Sequence, residues 1–304
     1  MGSARAPRYG RGMSVACPDS LPAAVAPEEY PWLGPSAASA LLLADGVVGL
    51  EPGADGRGRH DDAGYDGGSS GDGLYHAGRE ADHAAPAQPA EDQDRPLVDR
   101  REIERALAAA GAAPLAERTL VLAVGSNQTP RTIARKYARA GRSVPVTTPF
   151  VRCTVHGLAV GHVARAAAPG YVPAAPYRAD GERMELVATW FDKAQLAVVD
   201  QTEPNYDRLR LGAADVPLVL ATGERPEHVD VYASRWGVLA RDGVPIPLRH
   251  RQQELFDELQ GLTGETRLIG GAAEVCGRLA AQPDLVHDLA REHRLVVADG
   301  LPRP

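Results

Sequence analysis

The apolar run Val121 to Val124 passes within a few small and polar residues into a helical pattern. Thr129 stands where an N-cap is wanted and Pro130 suits the first helical position. Ile133, Ala134, Tyr137 and Ala138 then recur at helical spacing until Gly141. The pattern predicts a buried strand, a tight turn and a helix. The N–H groups of Gly125 to Gln128 are then expected at the positive end of that helix, where a carboxylate, a phosphate or a developing oxyanion is held. Gly125 lets a ligand approach the backbone, and Ser126 and Asn127 add hydrogen-bonding side chains. A plain strand-to-helix turn also favours Gly, Ser and Asn, so this segment alone leaves both readings open.

A second segment, Glu182 to Leu211, parses as strand, short helix, acidic turn and strand. Trp190 ends the first strand and Asp192 caps a helix whose Leu196 and Val199 face inward. Pro204 stops further helix before Tyr206 and Leu209 open the next strand. Glu203 therefore sits at a junction between elements, where functional groups concentrate.

Elsewhere, Leu41 to Leu50 reads as a hairpin turning at Asp45-Gly46, and Asp99 caps a helix through Ala110 that ends at Gly111. Val229 to Ala233 is a strand, and Trp236 to Leu248 is a strand pair turning at Asp242-Gly243. Helices follow over Arg249 to Leu262, Ala272 to Ala281, and from Pro283 through Glu292. Residues 53–96 are Gly, Asp, Ala, Pro, Ser and His with few large apolar groups, a composition expected to be disordered. The expected organisation is a flexible terminus over 1–29, a hairpin segment over 30–52 that can pack on the main domain, that low-complexity stretch, a main domain over 97–248, and a helical extension over 249–304.

The two informative segments together resemble the γ-glutamylcyclotransferase family. That family has a Tyr-Gly-Ser-Asn loop near the start of its domain, then a Leu-Asp-x-x-Glu-Gly segment followed by a Tyr-x-Arg strand. Val124-Gly125-Ser126-Asn127 matches three of the four loop positions, and Val199-Asp200-Gln201-Thr202-Glu203 with Tyr206-Asp207-Arg208 matches the second block. About seventy residues separate the blocks, with Gly170-Tyr171-Val172-Pro173 in between, and the resemblance spans roughly 118–235. Two positions depart from the pattern: Val124 stands where the family has tyrosine, and Pro204 where glycine commonly follows the glutamate.

The resemblance implies a mixed α/β fold, mostly antiparallel: a small curved sheet or barrel with flanking helices and, here, a helical C-terminal extension. It also implies a reaction without cofactor or metal, in which the substrate's own α-amine attacks its γ-carbonyl, closes 5-oxoproline and expels an amine. Glu203 is the implied base and then acid, in a partly apolar pocket near Asp200. Val124, Gly125, Ser126, Asn127, Gln128 and Tyr206 are the implied substrate-binding set. The rivals are a non-catalytic small-molecule binder of the same fold, favoured by the two departures, and a serine hydrolase using Ser126.

The chain has 304 residues, 44% of them apolar, and a net charge of −7, which fits a soluble protein of one sizeable domain with extensions or of two small domains. Only Lys136 and Lys193 are lysines. The acidic balance and the absence of a basic, aromatic-laced stripe argue against nucleic acid as partner, and no apolar run is long enough to span a membrane. Positive charge near Met1 is followed by no apolar stretch, so a secretory signal is not expected. Cys17, Cys153 and Cys276 are odd in number and scattered, which fits reduced thiols in a cytoplasmic protein.

His156 and His162 lie six apart on an apparent strand and share a face if it is regular, yet that spacing is about 20 Å and bridges no metal. Ser126 lacks the second flanking glycine of a nucleophile elbow. The glycines from Gly53 to Gly73 follow no strand and fit neither phosphate-binding pattern.

Overall fold

The computed structural model describes residues 26–31, 39–44, 46–50, 97–140 and 143–303. The expected disorder over 53–96 and most of the flexible terminus lie outside these residues, as do Cys17, Asp45 and Gly141.

The described residues open with a 3-10 turn at Pro27–Glu29, followed by the hairpin β1 (Ala40–Leu43) and β2 (Gly46–Gly49). Helix α1 (Arg100–Ala109) follows, capped by the Asp99 side chain on the Arg101 N–H, and Gly111 closes it with φ +63°. Strand β3 (Thr119–Ala123) leads through a 3-10 turn at Gly125–Gln128 into α2 (Pro130–Arg139). Two long strands, β4 (Thr148–His162) and β5 (Ala174–Phe191), form the centre. Helix α3 (Lys193–Gln201) starts from an Asp192/Gln195 capping box.

Strands β6 (Tyr206–Gly212), β7 (Leu218–Leu220), β8 (His228–Ser234), β9 (Val238–Arg241) and β10 (Val244–Pro245) come next. Helices α4 (Gln252–Thr263), α5 (Ala272–Ala281) and α6 (Leu285–Glu292) and the short β11 (Val296–Val297) finish the chain.

The main sheet runs β2-β1-β4-β5-β3-β8-β6, with β7 also on β4. Among the described residues, only β3 and β8 pair in parallel. The fold is therefore mixed α/β with a mostly antiparallel sheet and flanking helices, and among the described residues β2 and β6 are its outermost strands. Successive side chains of β3 enter opposite cores. Leu122 joins Leu107, Val151, Leu158, Leu186 and Val231, while Val121 and Ala123 join Ile133, Tyr137, Phe150 and Val199 under α2 and α3. A strand buried on both faces reads as a continuous apolar run, which is why β3 stands out in the sequence.

Where β3 begins, the buried Arg118 guanidinium donates to the carbonyls of Ala113 (2.8 Å), Thr147 and Trp190 and to Gln195 Oε1. One side chain thus ties the entry to β3 to the start of β4, the end of β5 and α3.

The C-terminal helices do not stand apart. Their core, with Leu255, Phe256, Val275, Leu279 and Val286, also takes in Ala164 and Val172 from the β4–β5 connection and Leu239 and Ile246 from the β9–β10 region. Gln252 clamps that connection by accepting the Val172 N–H at 2.6 Å and donating to its carbonyl at 3.1 Å.

One reading of β4 is corrected. A bulge between His156 and Leu158, at Gly157 with φ +74°, shifts the register, so His156 and His162 do not share a face. His156 is exposed and His162 is fully buried, its Nε2 accepting the Arg249 N–H at 2.9 Å.

Candidate functional site

Four pieces of chain meet where β3 ends: the Gly125–Gln128 turn, α2, the turn after α3, and the first residue of β5. The turn after α3 is formed by Glu203-Pro204-Asn205-Tyr206, closed by the Tyr206 N–H on the Glu203 carbonyl at 3.1 Å. Pro204 occupies the second position of that β-turn, where a fixed φ is favoured. Tyr206 then opens β6.

Glu203 is drawn inward by two donors. Asn127 Nδ2 donates to its Oε1 at 2.8 Å, and Lys136 Nζ pairs with the same oxygen. The side chains of Lys136 and Glu203 are only 16% and 12% exposed, so this ion pair is largely withdrawn from solvent. Oε2 is engaged by neither donor. Asn127 Oδ1 is shielded and accepts no hydrogen bond among the described residues.

Lys136 was not among the residues singled out from sequence. Its position on α2 was legible as helical, but nothing local indicates which element that face of the helix meets.

Asp200, expected near the Glu203 pocket, has partners of its own. It accepts from Arg208 Nε at 3.0 Å and from the Tyr232 hydroxyl at 2.8 Å, and Arg208 also pairs with the buried Asp230. The charged side chain that pairs with Glu203 is a cation, Lys136.

The loop amides are also arranged differently from the expectation of a bare helix N-terminus. Gly125–Gln128 coils into its own 3-10 turn ahead of α2. Thr129 holds the N-cap backbone position, but its hydroxyl donates to the Ser126 carbonyl at 2.9 Å and contacts Thr132 Oγ1 instead of capping an amide. Ser126 is half-buried and Gln128 buried. Val124 is half-buried and packs against the main core, an apolar support behind the loop.

Gly125 has φ +59°, and a Cβ there would overlap the Tyr30 hydroxyl and come within 2.9 Å of Ala174 Cβ. Tyr30 is buried and begins the segment expected to be able to pack on the main domain. Its hydroxyl accepts the Ala174 N–H at 2.8 Å, and its ring stacks on Tyr171 with centroids 4.4 Å apart. Tyr206 donates its hydroxyl to the Ala174 carbonyl at 2.7 Å, so that group is committed to the backbone. Two tyrosines thus hold both polar groups of Ala174.

Burial pushes the phenols of Tyr171, Tyr206 and Tyr232 up, and the negative charge of Glu203 adds to each. They stay neutral around the carboxylate at any physiological pH.

Among the described residues, no hydrogen bond joins the Ser126 hydroxyl to a histidine. His162 is bonded to the Arg249 N–H, His287 contacts the Ala164 carbonyl at 3.3 Å and lies edge-on to Trp236, and His156 is exposed on β4. Among the described residues no helix is long and apolar enough to cross a membrane.

No family model matches the chain, and no curated protein matches it. Among solved structures, a solution structure from Arabidopsis thaliana is 21% identical over 38% of this chain, with a TM-score of 0.28, and the chain spans 62% of its length. A γ-glutamyl cyclotransferase is 11% identical over 62% of this chain and 93% of its own, with a TM-score of 0.32.

Proposed function

We propose that this protein is a γ-glutamylcyclotransferase-like enzyme that releases an amine or amino acid from a γ-glutamyl compound as 5-oxoproline forms. The observation that carries the reading is the hydrogen bond from Asn127 to Glu203, which unites in one place the two segments whose sequences resemble the family's binding loop and catalytic turn.

In this scheme the α-amine attacks the γ-carbonyl carbon, a carbon–nitrogen bond closes the ring, and the bond to the leaving nitrogen breaks. An α-ammonium has a reference pKa of about 8, so it must lose a proton before attack. Glu203 Oε2, clear of Lys136 and Asn127, receives that proton and passes it to the leaving nitrogen. Over the cycle the attacking nitrogen gives up two protons and the leaving amine gains two, so no external acid or base is consumed. Gly125 to Gln128 line the place for the substrate's oxygen atoms. Folding the flexible glutamyl chain so that amine and carbonyl meet contributes on the order of 7 to 11 kcal/mol. No cofactor enters the scheme.

A second reading is favoured by one observation: two donors already occupy Oε1 of Glu203, as they would in a binding site that performs no chemistry. A panel of γ-glutamyl amides and peptides, assayed for 5-oxoproline, separates the two. Turnover of one member supports the enzyme. Binding of members without any 5-oxoproline supports the binder.

A further inference from the structure

Lys136 and Glu203 form a withdrawn pair of opposite charges, and the atoms around them are unevenly used. Both donors to Glu203 converge on Oε1, leaving Oε2 without either. Asn127 Oδ1, shielded from solvent, lacks a donor among the described residues, a deficit that an incoming N–H group would repair.

An isolated anion brought to Lys136 meets the charge of Glu203, and an isolated cation brought to Glu203 meets that of Lys136. A ligand carrying both charges on adjacent atoms escapes both penalties, because it replaces one ion pair by two.

We propose that the Lys136–Glu203 pair is an exchange site for the zwitterionic head of an α-amino acid. The ligand's ammonium binds Glu203 Oε2 and Asn127 Oδ1, and its α-carboxylate takes Lys136 Nζ. This deepens the cyclotransferase reading and rests on it for the identity of the side chain, but it concerns binding and assigns Lys136 as the residue that selects the free carboxylate. The phenols of Tyr171 and Tyr206, neutral and within the field of Glu203, add no competing charge.

The test uses three probes, L-glutamine, its counterpart with the α-carboxylate converted to an amide, and N-acetyl-L-glutamine, with affinities read by ligand-observed NMR, which also reports any 5-oxoproline. Wild type is expected to bind glutamine at least tenfold more tightly than either blocked analogue. Lys136→Met should lose the preference over the α-amide and keep the preference over the N-acetyl compound, and Lys136→Arg should restore the first.

Equal affinity of wild type for glutamine and its α-amide overturns the proposal without needing any variant. So does no binding of any probe, or a carboxylate preference that survives in folded Lys136→Met. The proposed activity fails separately: selective binding with no 5-oxoproline from any γ-glutamyl compound sinks the enzyme reading and leaves the exchange site standing.

Discussion

Asn127 Nδ2 and Glu203 Oε1 are 2.8 Å apart across 76 positions of chain. The bond couples the turn after β3 to the turn after α3, so neither can shift without disturbing the other. Lys136 adds a second link from α2 to the same oxygen. Substitutions in any of the three should therefore be felt at the carboxylate.

The packing behind the loop is the first place to test this. Gly125→Ala puts a side chain at φ +59° and into the Tyr30 hydroxyl, so it should cost about 2 to 4 kcal/mol in urea unfolding. If the Tyr30 contact is responsible, the same change made in a Tyr30→Phe background should cost less than in wild type. An equal cost in both backgrounds would locate the strain elsewhere.

His162 makes stability pH-dependent. Burial pushes its pKa down to about 3, with Arg249 adding to the effect, against 6.5 in the unfolded chain. The unfolded state therefore binds the extra proton between these values, and the contribution of neutral His162 is fully present above pH 6.5. It is lost progressively as the pH falls toward 3, by about 1.4 kcal/mol per pH unit. Thermal unfolding from pH 7 to 4 should fall less steeply in His162→Gln than in wild type, and parallel curves would contradict this.

Much of the fold was legible because local chemistry and tertiary structure agree. The continuous apolar run of β3, Pro130 at the start of α2, the Asp192 cap and the Asp242-Gly243 turn each announce an element that forms. What escaped reading depends on long-range pairing.

The Tyr30 hydroxyl meets Ala174 across 144 positions, a partner that nothing local to Tyr30 indicates. The bulge at Gly157 turned two histidines to different surroundings, and a period-two count does not register it. Asp200 and Glu203 are close in sequence, but the strand partners Arg208 and Tyr232 claim Asp200 and helix α2 supplies Lys136 to Glu203. The parallel pairing of β3 with β8 likewise has no local signature.

Ser126 distinguishes acyl transfer within the substrate from attack by the protein. Its carbonyl, not its hydroxyl, holds the turn by accepting from Thr129, so Ser126→Ala leaves the backbone of the loop in place. Turnover of an active γ-glutamyl compound should drop by less than about tenfold, whereas a serine nucleophile would lose nearly all of it.

The most direct measurement compares 5-oxoproline formation by wild type and Glu203→Gln on a γ-glutamyl compound that wild type turns over. Glutamine keeps the shape of the side chain and an oxygen for Asn127 and Lys136, but it has no carboxylate to take the ammonium proton. With folding checked by the melting transition, the rate should fall by about 10² to 10⁴ while substrate affinity changes little. A Glu203→Gln protein that forms 5-oxoproline at the wild-type rate would contradict the assignment of Glu203 as the base.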